Sequence, residues 1–557
     1  MNQTASSTTS AVSHDIIQID GSMGEGGGQL LRNALSYASI FHRPVVVYNI
    51  RAKRSGAIGL KPSHLTSIRM ISHLSGMLHT AEGVNAASSS LEGDELRSTK
   101  VTFLPVEVAA AQTQCSVEHN LASKKSSSKV RKVQKTQHQE NQRQQPQIRI
   151  FEEHETKRLV ADIGTAGSIT LLIQATLPLL IIRPTCKIHG SYKDNVDNNL
   201  QIEIKGGTNV SMSPSIDYFT HVFSPVLDAF CLGVQSPQDA QQPQQPHIKC
   251  IVEQRGFYPR GGGIVKLYVY PLEKLHPIRL MEQGQVQIIK IRGFYSGKVP
   301  RDVIQQMVDT AKNCISQHAR RNFPPPSWMG GIISINSILD VSITQEKRAM
   351  GSGCGILIVA CTSTGCLLGS DGLGDHNEPA NVTGKRTALE LLSALDSGAC
   401  VDHHLQDQVS LGKIILRTLL LFFLGTPLQE AIHYHKCVLS FSLHVSFLVF
   451  LAFQLILYMA LADGVSILNV GNTLTLHTTT AIRLAQIMTT KEHLFEVLEW
   501  KGPPSSPVIM PSLEAFTTGT KDDSVSLDAW KVRNLDELLK KDNMGNHFVV
   551  VCRGRSV

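Results

Sequence analysis

The stretch Ile19-Asp20-Gly21-Ser22-Met23-Gly24-Glu25-Gly26-Gly27-Gly28-Gln29-Leu30-Leu31-Arg32 leads from a short strand-like run, through a glycine cluster holding one carboxylate, into an apolar-periodic segment, Leu30 to Ile40, that reads as a helix. Glycines in such a loop expose successive backbone N–H groups and let a ligand approach the main chain at the positive end of the helix. Phosphate and metal sites are built this way. Glu25 is therefore a candidate metal or polar ligand, and Arg32, one turn into the helix, a candidate phosphate partner. A glycine-rich turn with an exposed acid would contain the same residues, so this loop alone leaves both readings open.

Working outward, the 557 residues are 42% hydrophobic and 18% charged, which excludes a fibrous or wholly disordered chain. The formal net charge of +7 is compatible with an anionic partner such as RNA but is modest for this length. Eleven cysteines without a C-x-x-C pair indicate neither a disulfide framework nor a structural zinc site, and favour a reducing compartment. Residues 1–15 are Ser/Thr-rich, unlike a secretory signal, and read as a disordered tail.

Two stretches look foreign to a folded core. Residues 107–157 carry Lys124, Lys125, Lys129, Arg131, Lys132, Lys135 and Arg143 among glutamines and serines, and residues 235–247 are Gln/Pro-rich. Both read as surface insertions, the first as a disordered basic linker, a nuclear import signal or an RNA-holding arm. A third oddity is apolar. Cys437 to Ala462 contains no Asp, Glu, Lys or Arg, which suits a membrane-spanning helix, although Ser440, Ser442, His444, Ser446 and Gln454 interrupt it and a buried helix is the competing reading. Elsewhere β-rich runs alternate with helical ones, as in Pro44–Arg51 then Pro62–Met77 and Val286–Arg292 then Pro300–His318, an α/β or α+β pattern.

Three more motifs follow in order. Asp162-Ile163-Gly164-Thr165-Ala166-Gly167-Ser168 precedes an apolar helix that Thr165 or Ser168 would cap; Gly206-Gly207-Thr208-Asn209 leads to Pro214 and Asp217; and Arg255-Gly256-Phe257-Tyr258-Pro259-Arg260-Gly261-Gly262-Gly263 combines cations, aromatics and glycines in a way that suits a phosphate or a base. Each alone is also compatible with a turn.

Together with Gly24-Glu25-Gly26-Gly27-Gly28-Gln29, Ile50-Arg51-Ala52-Lys53-Arg54-Ser55, Leu60-Lys61-Pro62-Ser63-His64-Leu65, Val401-Asp402-His403-His404-Leu405-Gln406-Asp407-Gln408, Leu474-Thr475-Leu476-His477 and a last strand His547–Cys552, the series resembles the RNA 3'-terminal phosphate cyclase family over most of residues 16–490. The resemblance implies an α/β (α+β) fold of three repeated units, each a four-stranded sheet plus two helices, with a smaller inserted α/β domain. On this basis residues 16–283 and 401–490 are expected to form the large domain, 284–400 the insert and 491–557 a C-terminal extension with the final strand.

Members of that family convert an RNA 3'-terminal phosphate to a 2',3'-cyclic phosphodiester with ATP and a divalent metal, Mg or Mn. By motif, His477 would be the nucleophile that takes AMP. Gln174, Pro214, His404, Asp407 and Gln408 would contact ATP, Glu25 would lie by the phosphates and metal, and Arg32, Arg51 and Arg54 would clamp phosphates, where a guanidinium fork matches two oxygens. Three positions depart from the family pattern: Ser63 stands where glutamine is usual, Lys61 replaces an arginine, and His404 replaces an aromatic residue, so weakened nucleotide binding is expected. The alternative is a non-catalytic cyclase-like protein of ribosomal RNA processing. The nucleus is the expected location, from the basic stretch and the family likeness.

In the family the Asp-Gln of the ATP motif runs directly into a helix like Leu455–Ala462; here residues 409–454 intervene, with a Phe-rich end, and are expected to be translated intron or another gene-model artefact. No membrane is expected as a partner unless 409–462 genuinely spans one.

Overall fold

The computed structural model of the chain describes residues 16–24, 26–53, 58–79, 89–105, 147–153, 156–182, 200–211, 213–231, 246–272, 274–321, 326–330, 334–402, 452–491, 493–501, 530–538 and 543–553. Strands β1 (Ile17–Asp20), β2 (Val45–Tyr48), β3 (Ser90–Glu92) and β4 (Val101–Leu104) form a sheet ordered β1-β2-β4-β3, parallel between β1 and β2. Helices α1 (Gly28–Ile40) and α2 (Pro62–His79) belong to the same stretch of chain. Helix α1 begins two residues before the sequence-predicted start, which places Gly28 and Gln29 inside its first turn, and it is buried on every side from Gly28 to Ser39.

A second sheet holds β5 (Gln147–Glu153), β6 (Thr156–Asp162), β7 (Leu200–Gly206), β8 (Ile248–Gly256) and β9 (Gly263–Val269). Along β9 every second residue is buried, with Val265, Leu267 and Val269 inside, as a strand with one covered face requires. Residues 147–157, expected to be disordered within the basic insertion, instead form β5 and the start of β6, paired antiparallel from Gln147↔Asp162 to Glu153↔Thr156. The Ile148, Ile150 and Phe151 of this segment carry the β preference that the polar sequence before them lacks. Helix α3 (Ile169–Ile181) starts at Ser168, whose hydroxyl accepts the Leu171 N–H, the predicted cap. Helix α4 runs through Ile216–Tyr218, a π turn Phe219–Phe223 and Ser224–Cys231.

Further along, β11 (Val286–Ser296), β12 (Leu339–Glu346), β14 (Gly353–Thr362) and β15 (Leu367–Leu373) form a sheet ordered β12-β11-β14-β15, packed by α5 (Arg301–Arg321) and α6 (Ala380–Asp396). Helix α5 buries Ile304, Met307, Val308, Ala311 and Ile315 on one stripe at helical spacing. The last sheet, ordered β10-β16-β19-β17-β18, comprises β10 (Arg279–Leu280), β16 (Ser466–Leu474), β17 (Phe495–Trp500), β18 (Trp530–Val532) and β19 (Asn543–Cys552). Helices α7 (Ala452–Leu461) and α8 (Leu476–Thr489) pack against each other beside it. The residues from Leu455 to Ala462 are buried in the main core, and among the described residues no helix is long and apolar enough to cross a membrane. The architecture is thus mixed α/β, with several sheets of both parallel and antiparallel pairing.

Strand β13 (Ala349–Met350) leaves the β11–β15 region and pairs parallel with Arg255 and Gly256 at the end of β8. At this junction Arg255 makes a bidentate pair with Asp217 (2.6 and 2.7 Å), bonds Asn209 Oδ1 (3.1 Å) and Glu346 (3.0 Å), and stacks 4.3 Å from the centre of the Phe294 ring. Burial alone would raise the Asp217 pKa, but its hydrogen bonds and charge pairing with Arg255 hold it below the usual value. The arginine expected to suit a phosphate is instead a buried structural tie between two motifs and the neighbouring sheet. Replacing it by methionine is expected to destabilise the fold by about 3–5 kcal/mol in denaturant unfolding, because Asp217 would stay buried and unpaired.

Candidate active site

The glycine loop meets helix α8. Gly24 has φ +60, and a Cβ built there would stand 2.2 Å from the Thr480 hydroxyl, so only glycine allows this approach. Thr480 lies three residues after His477 on α8, and residues at that spacing share a helix face. His477 is the second residue of α8, whose first turn is capped by Thr475 accepting the Thr478 N–H at 3.1 Å. A threonine run favours strands, but a threonine before a helix is also a good cap, and here that role prevails. His477 is partly exposed.

The opposite wall is cationic. Arg32 is 2% exposed, its Nε has no hydrogen-bond partner, and among the described residues no carboxylate pairs with it. Burial, then the nearby Arg51 charge, pushes its pKa down to about 9. The buried Gln29 side chain, three residues earlier on α1, likewise has both polar atoms unsatisfied. His64 sits against Gly28, where a Cβ would fall 2.0 Å from its Nε2, and its Nδ1 accepts the Lys61 N–H at 3.2 Å. Burial, followed by Arg32, Arg51 and Lys61, holds His64 neutral, with a pKa well below 6.5. The buried Arg32 thus has the half-buried Arg51 nearby and the exposed Lys61 at the edge, beside the first turn of α1. An entering anion would relieve the repulsion between Arg32 and Arg51.

Gln174 and Pro214 line one cleft with Thr170, Leu171, Tyr218, Phe219 and Phe223. It is fixed to the cationic wall through α3: the Ser36 hydroxyl of α1 bonds both the Arg32 carbonyl (2.9 Å) and the Ala175 carbonyl (2.7 Å), next to Gln174. Thr170 donates to the Pro214 carbonyl at 2.8 Å, and Asp371 accepts the Ser215 N–H at 2.8 Å. Buried Asp402 accepts from the Tyr218 hydroxyl (2.7 Å) and the Gly369 N–H (2.6 Å), so the residue that opens the expected ATP motif is anchored beside this cleft. Nothing in the local sequence marks Asp371 or Tyr218, because their partners, Ser215 and Asp402, are remote in sequence.

Glu25, Arg54, His404, Asp407 and Gln408 lie outside the described residues, as do the segment 409–451 and the Gln/Pro stretch through residue 245. Among the described residues no group of three His, Cys, Asp or Glu side chains forms a metal site.

The neutral histidines make acid stability predictable. Burial pushes His547 down to about 4, where its Nε2 donates to Asn469 Oδ1 at 2.6 Å. For an imidazole whose folded pKa lies below its unfolded value near 6.5, the stabilising contribution is complete above pH 6.5 and is lost as pH falls toward 4. Thermal unfolding from pH 8 to pH 4 is expected to show its main loss in that window, about 3 kcal/mol from His547 alone, and His547→Gln is expected to flatten it.

A sequence profile described as RNA 3'-terminal phosphate cyclase matches residues 23–127 and 125–425. Proteins named RNA 3'-terminal phosphate cyclase are 30% identical over 395 residues in Desulfurococcus amylolyticus, 31% over 396 in Hyperthermus butylicus and 30% over 399 in Pyrococcus abyssi. Each match spans 71% of this chain and 83%, 82% and 84% of the respective relative. Matches of this extent make the chain a member of the RNA 3'-terminal phosphate cyclase family.

Proposed function

We propose that this protein converts the 3'-phosphate of an RNA end into a 2',3'-cyclic phosphodiester at the expense of ATP, through an adenylylated His477. The observation that carries the proposal is the convergence of Arg32, Arg51 and Lys61 without an acidic partner for Arg32, beside the glycine loop that abuts the His477 helix. A cationic cluster that runs from the buried Arg32 through Arg51 to the exposed Lys61 fits a polyphosphate. The neutral imidazole of His477 attacks the α-phosphorus, a P–N bond forms, and pyrophosphate leaves. An oxygen of the RNA 3'-phosphate then displaces the imidazole and takes the AMP. Finally the adjacent 2'-hydroxyl attacks the 3'-phosphorus and AMP departs; the ribose holds nucleophile and electrophile together, so proximity supplies much of this step.

In this reading Gln174 and Pro214, on their shared cleft, serve the nucleotide together with His404, Asp407 and Gln408, and Arg51 and Arg54 flank the phosphates. Glu25 is the residue assigned to a divalent metal, which would offset phosphate charge when bound. The competing role, a non-catalytic cyclase-like protein of ribosomal RNA processing, is disfavoured by the presence of His477 itself. The decisive experiment incubates the purified chain with ATP labelled at the α-phosphate and a divalent metal: an acid-labile protein adduct that transfers its label to RNA with a 3'-phosphate end is expected, and no adduct under any metal would overturn the reading.

A further inference from the structure

One signature motif is left without a role by this scheme: the loop Phe257-Tyr258-Pro259-Arg260-Gly261. Its base is fixed. Phe257 is buried, stacks on Phe294 at 6.3 Å between ring centres, donates its N–H to the Met350 carbonyl and accepts the Gly261 N–H at 2.8 Å. Its tip is bare. Tyr258 is 78% exposed, more than any other large apolar side chain among the described residues, and Arg260 is exposed with no ion pair among them. Arg348 and Lys347 beside it are exposed as well, and Arg348 is tied to the motif by its carbonyl, which accepts the Arg255 N–H at 2.9 Å.

The loop also stands at the rim of the cationic site. A Cβ at Gly261 would lie 2.8 Å from the Thr165 carbonyl oxygen, and one at Gly167 would lie 3.3 Å from the Ser63 side chain, next to His64. Two successive contacts therefore lead from the exposed tyrosine to the buried cations. An aromatic face held rigid at its base, beside guanidinium groups, suits a nucleobase and its phosphate: stacking is tolerant of sequence, and the ordering entropy has been met in folding.

We propose that Tyr258 and Arg260 form a platform for the nucleotides preceding the RNA 3' end, with a base stacked on Tyr258 and a backbone phosphate on Arg260 while the terminal phosphate occupies the Arg32 site. This rests on the reading that the substrate is an RNA end. The test measures binding of a fluorescent ten-nucleotide RNA with a 3'-phosphate by anisotropy, alongside protein–AMP formation without RNA. Tyr258→Ala and Arg260→Ala are each expected to weaken RNA binding about 10-fold and to leave adduct formation at the wild-type level. Tyr258→Phe should restore binding, and Arg260→Ala should lower the slope of log affinity against log salt by about one. Unchanged RNA affinity in both alanine variants would overturn the platform. Because binding is read without turnover, a chain that forms no adduct would count against the proposed function and not against this site.

Discussion

His477→Ala is expected to abolish the protein–AMP adduct and to lower RNA cyclisation by at least about 10³-fold, the scale of loss when a covalent nucleophile is removed. The loss should be mainly chemical. His477 is only partly buried, and the first turn of its helix is capped by Thr475. The variant should therefore stay folded and unfold within about 1–2 kcal/mol of wild type. Labelled adduct and thermal melting measured on one preparation separate the two effects. An adduct that survives in the alanine variant would move the nucleophile elsewhere, whereas a stable, inactive variant that still accepts ATP is the outcome required by the scheme.

Arg32→Met is expected to act in opposite directions on activity and stability. Arg32 is buried beside Arg51 with no acid among the described residues to neutralise it, and its pKa of about 9 leaves it charged at neutral pH at the expense of the fold. Its folded pKa lies below the unfolded one, so the unfavourable contribution is fully present at pH 7. A methionine of comparable length removes that cost, and replacement of buried charges by apolar side chains stabilises proteins by about 1–4 kcal/mol. The unliganded variant should thus melt above wild type. Pyrophosphate should stabilise wild type by mass action and leave the variant unmoved, while adduct formation in the variant falls by about 10²-fold or more. A variant that melts below wild type would show that an anion-free cation cluster is not strained.

Much of this site is legible as sequence because its walls are glycine loops leading into helices, whose composition is local. The Ser168 cap, α1, α2 and the late strand β19 follow from such signals. What escapes are features decided by distant pairing. Arg255 carries the same residue type whether it meets a phosphate or Asp217, and only the approach of β8 to Asp217 and Glu346 decides. β5 escapes because a short strand follows a long polar stretch that conceals it, and the helix that carries His477 is hard to read because threonine serves both strands and caps. Asp402 shows the reverse: its motif is visible in sequence, but its partners Tyr218 and Gly369 are not.

Val401 and Leu455 line the same small cavity, with Tyr218, Phe223, Cys400 and Cys366 around them. The two flanks of residues 403–451 therefore stand at one place in the core, and joining them is a loop closure. Closing such a loop is an entropic matter that grows only logarithmically, about 0.6 kcal/mol for each doubling of its length. A short link and the full segment 409–454 thus differ little in what they ask of the core, whose stability is nearly indifferent to the difference. A chain from which residues 409–454 are deleted is therefore expected to melt within about 2 kcal/mol of the full chain.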